Sequence, residues 1–271
     1  METFRFLRGT TPLLISMPHN GTVIPQDIAR RMTEHARTVP DTDWHMDRLY
    51  DFAAGLGAGV LNPRYSRYVV DLNRPPDNKP LYPGSSNTEL CPLTCFDESL
   101  VYFPGEAPDK LEVKDRVEHY WRPYHRKLEN ELKRLKRTYG IAVLFEAHSI
   151  RSQVPRFFDG LLPDFNLGTA DGASCDPQLQ KLLRGVLQSA KGYTFVVNGR
   201  FKGGYNTRNY GAPESGIHAV QLEQAQCTYM DERYPFGYDE ARANRVKPCL
   251  VQLLETVLAW SAECSVERAP G

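Results

Sequence analysis

The chain has 271 residues with 33 Lys+Arg against 33 Asp+Glu, a formal net charge of zero, so it lacks the basic excess with which a nucleic-acid binder neutralises phosphates. At 41% hydrophobic and 24% charged residues it has the composition of a folded globular protein, not of a disordered chain. No apolar stretch approaches the roughly 18 to 20 residues that cross a bilayer, residues 1 to 16 lack the basic start and apolar run of a secretory signal, and the 6 cysteines are too sparse for a disulfide framework, so a cytoplasmic protein is expected.

In chain order, Pro12 to Ser16 is an apolar run stopped by Met17, Pro18, His19, Asn20 and Gly21, which reads as a buried strand entering a turn. Residues 25–37, opening on Pro25, and residues 42–56, with Leu49, Phe52, Ala53 and Leu56 at helical spacing before Gly57, predict two helices. Strand-like pieces follow at Gly59 to Leu61 and Tyr68 to Leu72. From Asn73 to Pro108 the chain is rich in Pro, Gly, Asn and Ser, and so long a connection predicts a loop that covers a site. Cys91 and Cys95 are spaced like a metal half-site, but no matching pair accompanies them and they read as reduced, buried thiols. Residues 109–139 carry an apolar helical stripe from Val117 to Leu135, which Pro123 should kink or split. Ile141 to Ala147 predicts a strand ending at His148 and Ser149, residues 176–190 a helix, and Tyr193 to Val197 a strand ending at Asn198, Gly199 and Arg200. A glycine-rich loop to Gly216 leads to a last strand, Ile217 to Leu222, and a closing helix at 239–262. Strands alternating with helices predict an α/β fold, a mostly parallel sheet covered on both faces, in one domain spanning 1–271.

Sites in such folds form beyond the carboxyl ends of the strands. Those ends present His19, then Asp71 to Arg74, then His148 and Ser149, then Asn198 to Arg200, then Glu223. A catalytic zinc needs three protein ligands and an open position. His19 and His148 offer two, and the segment Asp41 to Asp47 offers the third, with Asp43 first and Asp47 and His45 behind it. Glu223 closes an otherwise apolar strand, where a half-buried carboxylate suits a general base, and Arg74 can donate to a carbonyl oxygen that gains negative charge. Ser149 lacks the Gly-x-Ser-x-Gly surroundings of a nucleophilic serine.

In this order the strand-end His, the segment Val70 to Arg74, the later His-Ser and the final Glu resemble the zinc carboxypeptidase and aspartoacylase class. More closely, the segments 18–22, 41–45, 66–76, 147–150, 198–204 and 218–223 resemble the N-formylglutamate amidohydrolase family across nearly the whole chain. The resemblance implies a three-layer α/β/α, zinc-exopeptidase-like fold, a Zn²⁺ cofactor (another divalent metal being possible), Glu223 as general base, and hydrolysis of N-formyl-L-glutamate in histidine degradation. It also implies that Asn73 and Arg74 meet substrate. One departure is that Thr22 stands where the carboxypeptidase class places the Glu of its His-x-x-Glu motif, so the second protein ligand must come from elsewhere. The implied substrate is a small dianion, and Arg200, Lys202 and Arg208 among glycines of the 198–208 loop, with Arg67 nearer the first strands, are the expected carboxylate partners. The alternatives are a zinc-dependent deacylase or carboxypeptidase for another N-acyl amino acid, and a non-catalytic binder of acidic amino acids.

Overall fold

Short apolar runs bounded by turn residues pair into one sheet. This computed structural model describes residues 2–80 and 87–267, with side chains as far as residue 264. Seven strands, β1 (Phe4–Leu7), β2 (Leu13–Ser16), β3 (Gly59–Pro63), β4 (Ala142–Ile150), β5 (Phe165–Gly168), β6 (Phe195–Val197) and β7 (Ile217–Ala225), lie in the order β1-β3-β2-β4-β7-β5-β6. The pairings β2 with β3, β2 with β4, β4 with β7 and β5 with β6 are parallel, while β1 with β3 and β5 with β7 are antiparallel. The helices are α1 (Gln26–Ala29), α2 (Glu34–Arg37), α3 (Met46–Leu49), α4 (Lys110–Arg116), α5 (Arg122–Tyr139), α6 (Pro177–Ser189), α7 (Tyr205–Tyr210) and α8 (Glu240–Glu267). Among the described residues no helix is long and apolar enough to cross a membrane.

The twofold alternation of a strand assigns the layers. Val143, Phe145 and Ala147 of β4 enter a core with Leu179 and Leu183 of α6 and Leu250 and Leu254 of α8. Ala142 and Leu144 enter the opposite core, with Leu14 of β2 and Leu128, Leu132 and Leu135 of α5. This is the expected three-layer arrangement, and burial on both faces explains the unbroken apolar runs of the central strands. On the α5 side the alternation continues as Glu146 and His148 on β4, paired in register with Gln221 and Glu223 on β7. The face that is apolar at the start of these strands becomes polar at their carboxyl ends.

Several elements differ from expectation for local reasons. Tyr68 to Leu72 forms no strand. Ser66 Oγ accepts from the Tyr68 amide and Val69 N–H bonds Ser66 O, closing a turn that sets Arg67 against Asp71. The 25–37 helix divides because the Thr33 side chain caps a fresh start at α2, accepting from Ala36 N–H. The 42–56 helix shrinks to α3 and a 3₁₀ turn, Asp51–Ala54, since His45 before it holds a left-handed φ of 62°. Strands β1 and β5 were not expected. A π turn, Val117–Trp121, splits the 109–139 helix, so that Pro123 falls in the first turn of α5, where its missing amide hydrogen costs little. Of the 73–108 loop, residues 81–86 lie outside the described residues. Elsewhere it buries Leu90, Cys91, Cys95 and Phe96, and burial pushes both thiols up to about 11.

One buried group makes this fold acid-sensitive. His125 of α5 donates from Nε2 to Leu72 O at 3.0 Å, and its Nδ1 lies 2.8 Å from Tyr210 OH. Burial, opposed only by the Leu72 carbonyl, lowers its pKa from 6.5 to about 3. The unfolded chain takes up this proton near pH 6.5 and the folded chain does not, so stability falls as pH drops below that value, by about 1.4 kcal/mol per unit. Between pH 7 and pH 5 the unfolding free energy of the wild type should lose about 2 kcal/mol more than that of a His125→Gln variant. Equal losses in urea titrations at the two pH values would contradict this assignment.

Candidate active site

Three segments bring His19, Asp43 and His148 together. Met17 N–H extends the β2 pairing to Leu61 O, and a turn closed by Asn20 N–H on Met17 O delivers His19. Asp43 N–H bonds His19 O at 3.0 Å and Met46 N–H bonds Asn20 Oδ1 at 3.0 Å, which fixes the 41–46 stretch above that turn. Asp43 Oδ2 then lies 3.0 Å from His148 Nδ1, 3.1 Å from Ser149 N–H and 3.7 Å from His19 Nδ1. All three side chains are buried, with one ligand atom of each within 4.8 Å of the others. The other candidates in the segment face elsewhere: His45 Nε2 sits 2.7 Å from Phe236 O, and Asp47 Oδ1 accepts from Arg48 N–H at the surface.

Each histidine has a carboxylate on its second nitrogen. His19 Nε2 is 2.6 Å from Asp71 Oδ1, and His148 Nε2 is 3.5 Å from Glu146 Oε2. Such outer partners fix the tautomer and ring orientation of a metal-ligating histidine. Two imidazole nitrogens and one carboxylate oxygen, buried and within reach of one point, fit a divalent cation of the zinc type.

Charges are balanced at close range. Arg67 Nη2 pairs with Asp71 Oδ2 at 2.7 Å, and both are buried. Burial opposes ionisation of Asp71, but His19 and Arg67 hold it well below the usual carboxylate range. Burial, reinforced by Arg67, lowers the pKa of His19. At His148 burial is outweighed by the hydrogen bonds to Asp43 and Glu146, and the pKa rises to about 10. Burial raises Glu223 to about 7 against the pull of His148.

These groups open into a cavity of about 630 Å³ including its mouth, whose wall also holds Glu223, Asn73, Arg67, Arg74 and Arg200, with Phe96, Phe157 and Phe201 as its apolar part. Gln221 Nε2 donates to Glu223 Oε2 at 3.2 Å, and Gln221 Oε1 accepts from Gly204 N–H at 2.7 Å. Asn73 Nδ2 lies 3.1 Å from His148 Nε2, and Asn73 Oδ1 accepts from Asn206 N–H at 2.9 Å. A Cβ at Gly204 would stand 2.3 Å from Asn73 Nδ2, so any larger residue here would push the Asn73 side chain out of place. Arg74 is steadied by Thr88, Nη2 to Oγ1 at 3.1 Å, and Arg200 by the Phe157 carbonyl, Nε to O at 2.6 Å.

The structure does not bring every expected cation to this wall. Lys202 Nζ pairs with Asp171 Oδ2 at 3.1 Å in an exposed position, and Arg208 Nε donates to Gly203 O at 2.9 Å. The chain turns at Gly203, with φ of 111°, and turns the Gly204 amide rather than the Lys202 side chain toward the site. Conversely, the carboxylates behind the histidines, Asp71 and Glu146, and the amides Gln221 and Asn206 were assigned no role from sequence. For Asp71, Glu146 and Gln221 the one signal is a charged or amide residue inside an apolar run, as in Val143 to Glu146, and Asn206 in its polar, glycine-rich stretch has none.

A deep strand-end pocket with a carboxylate beside two histidines and an aspartate is the layout of a hydrolase for small substrates. The chain belongs to the N-formylglutamate amidohydrolase family, whose sequence profile matches residues 11–230, and is an amide-bond hydrolase. N-formylglutamate deformylases of Pseudomonas aeruginosa and Pseudomonas putida are each 54% identical to it over 262 residues, 97% of this chain and 98% of theirs. The crystal structure of N-formylglutamate amidohydrolase from Ralstonia eutropha JMP134 superposes with a TM-score of 0.79 at 25% identity, covering 95% of this chain and 98% of that one. A gene product of Agrobacterium tumefaciens shares the fold, with a TM-score of 0.69 at 17% identity over 99% of this chain and 97% of its own.

Proposed function

We propose that the chain hydrolyses N-formyl-L-glutamate to formate and L-glutamate, as a step in histidine degradation, with Zn²⁺ or a similar cation held by His19, Asp43 and His148. The observation that carries this reading is the placement of Glu223 in the cavity that also holds the donor triad, opposite His148 in the pairing of β7 with β4. A bound cation there supplies Lewis acidity toward the formyl carbonyl and makes water more acidic. Glu223 takes a proton from the attacking water and returns it to the departing amine nitrogen, while Arg74 donates to the formyl oxygen as its charge grows. Arg200 on the cavity wall is the cation left to meet a carboxylate of the dianion, Asn73 lies between Arg74 and His148, and the Arg67–Asp71 pair steadies His19 from behind. Lys202 and Arg208 have no direct part in this reading. It treats residues 1–271 as one domain, in keeping with the single sheet of described strands, and places it in the cytoplasm, in keeping with six cysteines too sparse for a disulfide framework.

The test is product release. Purified holoenzyme should liberate formate from N-formyl-L-glutamate with kcat/KM about a hundredfold above that for the N-acetyl analogue, because the pocket must reject an added methyl group, and a chelator should abolish it. Faster release of acetate or succinate from matched derivatives would favour a broader deacylase. Glutamate binding without any release would favour a non-catalytic binder.

A further inference from the structure

Asn73 and Arg74 sit in a turn, outside any strand or helix, so their geometry must come from what holds the three peptide planes around them. The plane between Leu72 and Asn73 is held on both sides: its carbonyl accepts from His125 Nε2 at 3.0 Å, and its N–H bonds Asp71 Oδ1 at 2.8 Å. The plane between Asn73 and Arg74 is held through Arg74 N–H on Asp71 O at 3.3 Å. The plane between Arg74 and Pro75 has no N–H, because residue 75 is proline, and can be held only through its carbonyl. That carbonyl accepts from Trp121 Nε1 at 3.0 Å.

The two donors that α5 and its π turn contribute are coupled. Trp121 and His125, one helical turn apart and on one face, stack with ring centroids 3.6 Å apart and planes inclined by 20°. A carbonyl can only accept, so His125 carries its proton on Nε2 and accepts a hydrogen bond from the Tyr210 hydroxyl at Nδ1. Tyr210 ends α7, the helix whose Asn206 N–H binds Asn73 Oδ1. The turn is therefore gripped by the backbone from one helix and by the side chain of Asn73 from another, and His125 joins the two.

We infer that Trp121 and His125 are positioning residues that clamp the Asn73–Arg74 turn in its reactive geometry, with the Trp121 indole N–H holding the one peptide plane that Pro75 leaves without a donor. The inference rests on the functional reading above, in which Asn73 and Arg74 meet substrate. Neither ring touches the cavity, so both act through the turn.

Trp121→Phe removes the N–H and keeps a stacking ring. We expect a melting midpoint lowered by only a few degrees, amide exchange at Asn206 at least about fivefold faster as the bond to Asn73 opens more often, and kcat lowered about tenfold with little change in KM, the kinetic equivalent of one lost hydrogen bond. Combined with Arg74→Lys, the loss should be no greater than that of Arg74→Lys alone within about twofold, since residues acting through one another are not additive. Unchanged Asn206 exchange, or losses that multiply in the double variant, would overturn the clamp. If Asn73→Ala and Arg74→Lys themselves kept wild-type kcat/KM, the functional reading would fall instead, and the exchange rates would still decide whether the clamp exists.

Discussion

Replacing Glu223 by Gln should leave metal content and fold intact while kcat for formate release falls by about three orders of magnitude, within the range that general acid–base groups contribute. The amide has the shape of the carboxylate and still accepts from Gln221 Nε2, so the pairing of β7 with β4 is undisturbed. It cannot take a proton from water or return one to the amine. Burial, which raises Glu223 to about 7, also makes its ionised form a stability cost at neutral pH. The variant should therefore melt at or above the wild-type temperature, and this separates lost chemistry from lost folding. A kcat within tenfold of wild type, with full metal occupancy, would eliminate Glu223 as the base.

Asp43→Asn is expected to cost more, because it affects both the cation and the histidines. The carboxylate is the anionic member of the donor set, and its Oδ2 orients His148 and receives the Ser149 amide. Metal content after dialysis should fall well below one per chain, and kcat/KM by more than about a thousandfold, as when a directly coordinating group is lost. His45→Ala and Asp47→Ala, whose side chains point to Phe236 O and to the surface, should keep both values within about twofold. Normal metal content in Asp43→Asn together with loss in His45→Ala or Asp47→Ala would reassign the third ligand.

How far the sequence reveals these features depends on which interactions set them. The central strands are legible because both faces are buried, which leaves unbroken apolar runs at β2 and β4 and places His19 and His148 just past or at their ends. The edge strand β1 is four residues with alternating exposure, and β5 is another four-residue piece inside a long irregular stretch, so neither carries enough period to stand out. Tyr68 to Leu72 misleads for the opposite reason: its apolar residues are buried around a turn whose purpose is to set Arg67 against Asp71. Residue types identify Asp43 among its neighbours only as a preference, and the backbone bond to His19 is what sets its carboxylate beside the two histidines. Arg200, Lys202 and Arg208 were indistinguishable in a glycine-rich loop. A loop charge points where its local φ values and partners send it: Arg200 reaches the cavity wall, while Lys202 pairs with Asp171 and Arg208 with Gly203 O.

The two central strands also carry a lesson for anyone who alters this protein. Leu144 and Glu146 are neighbours on the same face of β4, and both are completely buried. Leu144 contributes packing, and truncating it to alanine would cost about 2 to 5 kcal/mol of stability. Glu146 keeps an unpaired buried oxygen, Oε1, beside its bond from Asn206, so an apolar replacement would relieve desolvation while removing the carboxylate behind His148. Selection for heat tolerance alone would therefore protect the lower half of β4 and erode the upper half, and a stabilised library could consist of well-folded proteins that have lost their chemistry.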